Sequence, residues 1–182
     1  MKMFVEIPKG SINKYEYNLQ TQQWELDRVL SGSMHYPEEY GSFPETLDYD
    51  GDPLDVICLT FHPVDFPCSV PVRIIGVLKM IDGDEEDDKI LAVNAVEPRL
   101  NNIKSLAEVS QEKLAEIENF FLRYKELEKK KVVIQGWEDQ TEAKNILQKC
   151  QKLYQKYREK INQGIDKKEL VKLLENEKRT KT

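Results

Sequence analysis

The densest chemical signal in the 182-residue chain is Asp48-Tyr49-Asp50-Gly51-Asp52-Pro53-Leu54-Asp55-Val56. Gly51 and Pro53 suit a tight turn ahead of a strand that begins near Asp55. Such a turn crowds carboxylates, and their repulsion is costly unless cations neutralise it or protons bind. An acidic loop on its own is usually solvated surface. Here the apolar flanks, Leu47 and the residues of Leu54–Leu59, draw the loop onto a packed surface. A second acidic run, Asp82-Gly83-Asp84-Glu85-Glu86-Asp87-Asp88-Lys89, falls between two predicted strands. Two acidic loops at strand ends of one small barrel could converge on shared cations.

Two histidines, His35 and His62, cannot build a histidine-rich zinc site. Any metal would therefore be held by carboxylate oxygens, which suit magnesium, manganese or calcium. An EF-hand loop does not fit: counted from Asp48, position six is Pro53 and position twelve is Leu59; counted from Asp82, they are Asp87 and Val93. Neither run has the required Gly and terminal Glu. A phosphatase with an aspartyl nucleophile is the enzyme alternative. Asp48-Tyr49-Asp50-Gly51-Asp52 is close to its Asp-x-Asp-Gly-Thr/Ser signature, with Asp87-Asp88 as a late acidic pair. Against it, the last position is Asp52 rather than a hydroxyl residue, and the preceding chain lacks the strand–helix alternation of a parallel sheet. Lys14, Arg28, Tyr36, Tyr40, Lys89, Tyr124 and Lys125 include every side-chain type needed to grip a small polyanion.

The elements that must position these groups change character along the chain. Residues 1 to about 104 read as strands: Tyr15–Leu19 and Trp24–Leu30 as a hairpin around Gln20–Gln23, then Val56–Phe61, Val70–Ile81 and Ile90–Val96. This pattern predicts a barrel or sandwich. From Ser110 to Glu128 the period becomes helical, with Leu114, Ile117, Phe121, Tyr124 and Leu127 on one face and Ser110 as N-cap. Val132–Trp137 returns to strand. Asp139 with Glu142 resembles a capping box opening a helix to about Asn162, stopped by Gly164, and Asp166 with Glu169 starts another.

A hydrophobic fraction of 40% beside 33% charged residues predicts a folded domain rather than disorder. No window approaches an uninterrupted membrane-spanning run, and the first residues lack the apolar stretch of a signal peptide. Cys58, Cys68 and Cys150 have no metal-type spacing and read as reduced thiols, which points to the cytoplasm. The net charge of −6 argues against a nucleic-acid partner. That charge is uneven: residues 1–148 hold 28 acidic and 16 basic side chains, and Lys149 onward holds 5 and 11. Residues 1–150 are expected to form one domain, barrel plus helices, and 151–182 a basic, solvated helical extension of it. A non-catalytic OB-type module for single-stranded nucleic acid is the non-enzyme alternative, but it needs a basic groove.

The constellation resembles the family I soluble inorganic pyrophosphatases of bacterial type over residues 4 to about 148. Asp50-Gly51-Asp52-Pro53-Leu54-Asp55-Val56 fits the family signature. Glu6-Ile7-Pro8-Lys9-Gly10, Lys14-Tyr15-Glu16, Asp27-Arg28, Tyr36-Pro37, Tyr40-Gly41, Asp82, Asp87, Lys89 and Tyr124-Lys125 match further anchors. The resemblance implies an α+β, mainly β fold: an OB-like five-stranded β-barrel with flanking C-terminal helices. It implies hydrolysis of pyrophosphate to two orthophosphates by direct attack of a magnesium-activated water. Several magnesium ions would be bound, with manganese as a substitute. By the same resemblance Asp50, Asp55, Asp82 and Asp87 are metal ligands, with Glu6 and Glu16 in or near the metal shell. Asp52 would position or deprotonate the water, and Asp87 would share that role. Lys14, Arg28, Tyr36, Tyr40, Tyr124 and Lys125 would bind the phosphoryl groups. Lys89 joins them while balancing charge among the carboxylates. A homo-oligomer, a homohexamer by resemblance, is expected, with no membrane partner. Glu38 and Glu39, inside the tyrosine turn, are expected to alter the cavity rim.

Overall fold

The computed structural model describes residues 1–18, 21–83 and 85–180. Leu19 and Gln20 of the expected hairpin and Asp84 of the second acidic run lie outside the described residues. In chain order the strands are β1 (Lys2–Ile7), β2 (Asn13–Asn18), β3 (Gln23–Val29), β4 (Glu39–Ser42), β5 (Asp55–Leu59), β6 (Ser69–Asp82), β7 (Glu85–Glu86), β8 (Lys89–Asn94) and β9 (Val132–Asp139). The helices are α1 (Gln111–Arg123), α2 (Gln140–Asn162) and α3 (Lys167–Thr180).

Five strands close a ring in the order β1-β4-β5-β8-β6, with β6 returning to β1. The β5–β8 pair is parallel and the other four are antiparallel. The expected five-stranded, OB-like barrel is therefore present, and β2–β3 stands apart as a hairpin. Alternation explains β1, where Met3, Val5 and Ile7 are buried. All six residues of β8 are buried, because barrel interior lies on one side and α2 on the other. Strand β6, 14 residues long, pairs with β1 near its start and with β7 and β9 toward its end. Gly41 is required by contact: a Cβ there would sit 1.8 Å from the Phe4 carbonyl oxygen across the β1–β4 pair.

The barrel interior and α1 share one core, where Ile57, Leu78 and Leu91 meet Ile117, Phe120 and Phe121. A second joins the outer face, Val5, Val56 and Ile90, to Ala143, Ile146, Leu147 and Cys150 of α2. These α2 positions recur at helical spacing. A third joins Leu47 to Leu153 and Tyr157 of α2 and Leu170 and Leu174 of α3. The C-terminal extension is thus not merely solvated. Leu174 is fully buried, because the amphipathic face of α3 has apolar residues of α2 and the acidic-loop flank to pack against.

The caps read from sequence are in place. Ser110 accepts from the Lys113 amide at 3.2 Å, and Asp139 accepts from Thr141 at 2.7 Å and Glu142 at 3.1 Å. Helix α1 is shorter than its apolar period implied, ending at Arg123 with Tyr124 as C-cap. A single 3-10 turn follows over Glu126–Glu128, Lys129 adopts a left-handed φ of 58°, and Leu127 is left exposed with no core to join. The strands predicted to reach Phe61 and Val96 stop at Leu59 and Asn94. Among the described residues, no helix is long and apolar enough to cross a membrane.

Candidate active site

The barrel wall, the β2–β3 hairpin and the end of α1 enclose a cavity of about 930 Å³. Every residue that the resemblance assigned to metal, water or phosphoryl groups lines it. Glu6 comes from β1, Lys14 and Glu16 from β2, Arg28 from β3, and Tyr36 and Tyr40 from the turn and strand at β4. Asp50, Asp52 and Asp55 come from the loop into β5, Asp82 from the end of β6, and Asp87 and Lys89 from the entry to β8. Tyr124 and Lys125 follow α1. The shortened α1 matters here, since the break after Arg123 lets Lys125 pair with Asp82. Asp48, the nucleophile of the alternative reading, is not on the lining.

The acidic loop is held as a turn. Gly51 takes a φ of 86°, its amide donates to the Asp48 carbonyl at 3.1 Å, and the Asp48 amide donates to the Asp52 carbonyl at 2.8 Å. Asp50 accepts from the Asp52 amide at 2.9 Å. Burial pushes the Asp50 carboxyl up to about 7, and neighbouring Asp52, Asp55 and Asp48 add to the rise against that amide bond. Glu6 is also pushed up to about 7, by burial and then by Asp55, although the Ser42 hydroxyl donates to it at 2.5 Å. Two carboxyls poised near neutrality in one cavity mark a site short of positive charge.

The cations are interleaved with these acids. Lys89, 2% exposed, pairs with Asp55 and with Asp87, the latter at 2.5 Å. Burial works against its charge, yet Asp55 and Asp87 hold its pKa well above the ordinary lysine value. Lys14 contacts Glu16 at 2.8 Å, and Arg28 donates to Asp27 at 2.6 Å. In this arrangement no three acidic, histidine or cysteine side chains stand close enough to share an ion among the described residues. Tyr36, Tyr40 and Tyr124 pack with Phe120 and Phe121. Burial pushes all three phenols upward, so they stay protonated donors at neutral pH.

A family model described as inorganic pyrophosphatase matches residues 3–155. The chain belongs to the inorganic pyrophosphatase family. A family relative from Halalkalibacterium halodurans is 43% identical over 150 residues, spanning 82% of this chain and 92% of that protein. An inorganic pyrophosphatase from Ureaplasma parvum is 43% identical over 157 residues, 86% and 87% of the two chains. Among solved structures, the inorganic pyrophosphatase from Thermus thermophilus superposes with a TM-score of 0.81 at 39% identity, covering 85% of this chain and 91% of that one. That from Helicobacter pylori gives 0.82 at 35% identity, covering 85% and 93%.

Two features of this pyrophosphatase escaped the sequence reading. Glu38 and Glu39 do not reach the cavity rim. Glu38 is buried and neutralised by Lys9 at 3.1 Å and Lys113 at 2.7 Å, while Glu39 accepts from the Val64 amide at 2.9 Å. Tyr154, Ile161, Asn162 and Leu170, from the C-terminal helices, line the cavity, and Lys167 pairs with Asp52. The signal available for the second was the positive tail beside an acidic body, whose attraction is intramolecular.

Proposed function

We propose that this pyrophosphatase hydrolyses pyrophosphate to two orthophosphates by direct attack of water, with magnesium as its metal. The carrying observation is that the fourteen acidic, basic and phenolic side chains picked out by the resemblance, far apart in the chain, meet in one cavity. A phosphomonoesterase built on Asp48 is not favoured, nor is a nucleic-acid module, whose groove would be basic rather than lined by seven aspartates and glutamates from the two acidic runs alone.

The donor set fits a hard divalent cation. The acids are all oxygen donors, and neither histidine nor cysteine lines the cavity among the described residues. Glu6 and Asp50, lifted to about 7, are carboxyls whose ionisation a cation would restore. Asp50, Asp55, Asp82 and Asp87 would hold it directly, with Glu6 and Glu16 in or near the shell. When bound, magnesium supplies Lewis acidity, making water more acidic and screening phosphoryl charge.

The chain's own groups do the rest. Asp52, at the cavity mouth, holds the attacking water and takes its proton, and Asp87 shares that task. Lys14, Arg28 and Lys125 bind and orient the phosphoryl oxygens. Tyr36, Tyr40 and Tyr124 donate from phenols kept neutral by burial. As the bridging P–O bond breaks, these donors meet the charge that develops on the leaving phosphate. Lys89 balances Asp55 and Asp87 from beneath.

We read residues 1–150 as the catalytic domain and 151–182 as an extension of it, a reading supported by the core that Leu47 shares with α2 and α3. Free thiols at Cys58, Cys68 and Cys150 support a cytoplasmic enzyme. A homohexamer is the assembly we expect, and sedimentation of the purified chain would check it. The deciding experiment measures phosphate release from pyrophosphate with magnesium, with EDTA, and in Asp52→Asn. Fast magnesium-dependent release, lost in both controls, is expected; no release by folded protein would overturn the reading.

A further inference from the structure

Helix α3 lies beyond the stretch matched by the family model, which ends at residue 155, yet it touches both acidic loops. Lys167, its first residue, donates to the two carboxylate oxygens of Asp52 at 2.6 and 2.5 Å. Lys178, about three turns further along, donates to Glu86 at 3.0 Å and lies 5.2 Å from the ring centre of Tyr49. Eleven residues of helix span about 16 Å, so α3 bridges from one loop to the other. Between these contacts Leu170 and Leu174 pack on Leu47, Leu153 and Tyr157. Val171 closes against the turn, within 3.0 Å of where a Cβ on Gly51 would stand.

Helix α3 opens with acids of its own: Asp166 accepts from the Lys168 amide at 2.9 Å and the Glu169 amide at 3.4 Å, and Glu169 stands in the first turn. Lys167 is paired across the fold with Asp52. The Asp52 side chain is 52% exposed, between a glycine at φ 86° and a proline, and its carboxylate has no other ion pair among the described residues. An exposed pair of this kind adds little to stability, so its effect is geometric.

We propose that α3 is a strap that fixes the two acidic loops across the cavity mouth, with Lys167 the positioning residue for Asp52 and Lys178 for the turn at Glu86. The proposal rests on reading Asp52 as the group that holds the attacking water. A carboxylate that orients water must be held to well within an ångström, and a 1 Å misplacement can cost about 100-fold in rate. A helix packed on a buried core provides that hold where a free turn does not.

The test uses the full chain and Lys167→Ala, Lys167→Arg, Lys178→Ala and Asp52→Asn. In Lys167→Ala, kcat for pyrophosphate falls about tenfold with KM within about twofold, and Lys167→Arg recovers it to within about threefold. In metal-free protein, amide exchange at Asp48 and Gly51 speeds up about tenfold in Lys167→Ala, and that at Gly83 and Asp87 does so in Lys178→Ala. Melting temperatures stay within about 2 °C. Unchanged kcat and exchange would overturn the strap. A rise in kcat would make α3 an inhibitory cap instead, and a loss that arginine does not rescue, with a lower melting temperature, would make Lys167 merely structural. Should Asp52→Asn keep full activity, the role given to Asp52 falls with the positioning role of Lys167, and the exchange rates alone then decide whether α3 holds the loops.

Discussion

Replacing Lys89 by methionine removes the cation that stands between Asp55 and Asp87 while keeping an unbranched chain of similar reach. Lys89 is 2% exposed, and its two partners are 23% and 21% exposed. Stripping one partner from a buried ion pair costs ~3–5 kcal/mol. The carboxylates keep some contact with water, so the lower end, about 3 kcal/mol, is expected. For a chain of this length each kcal/mol shifts the melting temperature by ~2–4 °C, which gives a drop of roughly 6–12 °C at pH 8 in EDTA. Burial already raises the Asp87 carboxyl, and Lys89 is the main group opposing that rise. Without it the native variant keeps a proton that the unfolded chain has lost, so stability falls as pH rises. The deficit should therefore shrink between pH 8 and pH 5, by up to about 1.4 kcal/mol per pH unit for one proton. Adding Asp87→Asn to the variant should recover much of the loss in a double-mutant cycle. Circular-dichroism melts read all of this. A drop under about 2 °C at pH 8, or a deficit unchanged at pH 5, would refute the account of Lys89 as the buried counter-charge.

Other consequences are as direct. Glu6 and Asp50 are raised to about 7, so the metal-free native state holds protons that the unfolded state releases; urea midpoints in EDTA should fall from pH 5 to pH 8. For the same reason magnesium binding near pH 7 should expel protons, measurable by calorimetry in buffers of different ionisation enthalpy. Asp48→Asn should keep phosphate release within about threefold, because Asp48 is off the cavity lining; loss by ~100-fold or more would restore the aspartyl-nucleophile reading. Gly41→Ala, whose Cβ would meet the Phe4 carbonyl at 1.8 Å, should destabilise the barrel by more than ~2 kcal/mol in urea unfolding.

Much of this was legible in the sequence, for reasons that differ by residue. The Asp50–Asp55 turn was readable because glycine and proline fix the backbone locally and the carboxylates announce their own repulsion. Helix α2 was readable because Asp139 caps it and Gly164, at φ 77°, stops it. The end of α1 was not, since Leu127 continues the apolar period, and only tertiary contacts decide that it stays exposed. Glu38 looked like a rim acid because sequence gives no sign that Lys9 and Lys113, at distances of 29 and 75 residues along the chain, would close on it. The part played by α3 depends on a fold-back of the same kind: Lys167 and Asp52 are 115 residues apart.

The ring β1-β4-β5-β8-β6 is complete by Asn94. During synthesis, at ~5–20 residues per second, the barrel's whole hydrogen-bonded circuit leaves the ribosome several seconds before the rest of the chain. In that interval Leu78 and Leu91 lack the α1 phenylalanines, and Val56 and Ile90 lack α2. The nascent ring is closed by the β1–β6 pair, but the end of β6 still lacks β9 and the faces lack their helices, so it needs a chaperone's cover. Chains cut short after Asn94 should therefore be lost to proteolysis or clumping rather than accumulate as a half-enzyme.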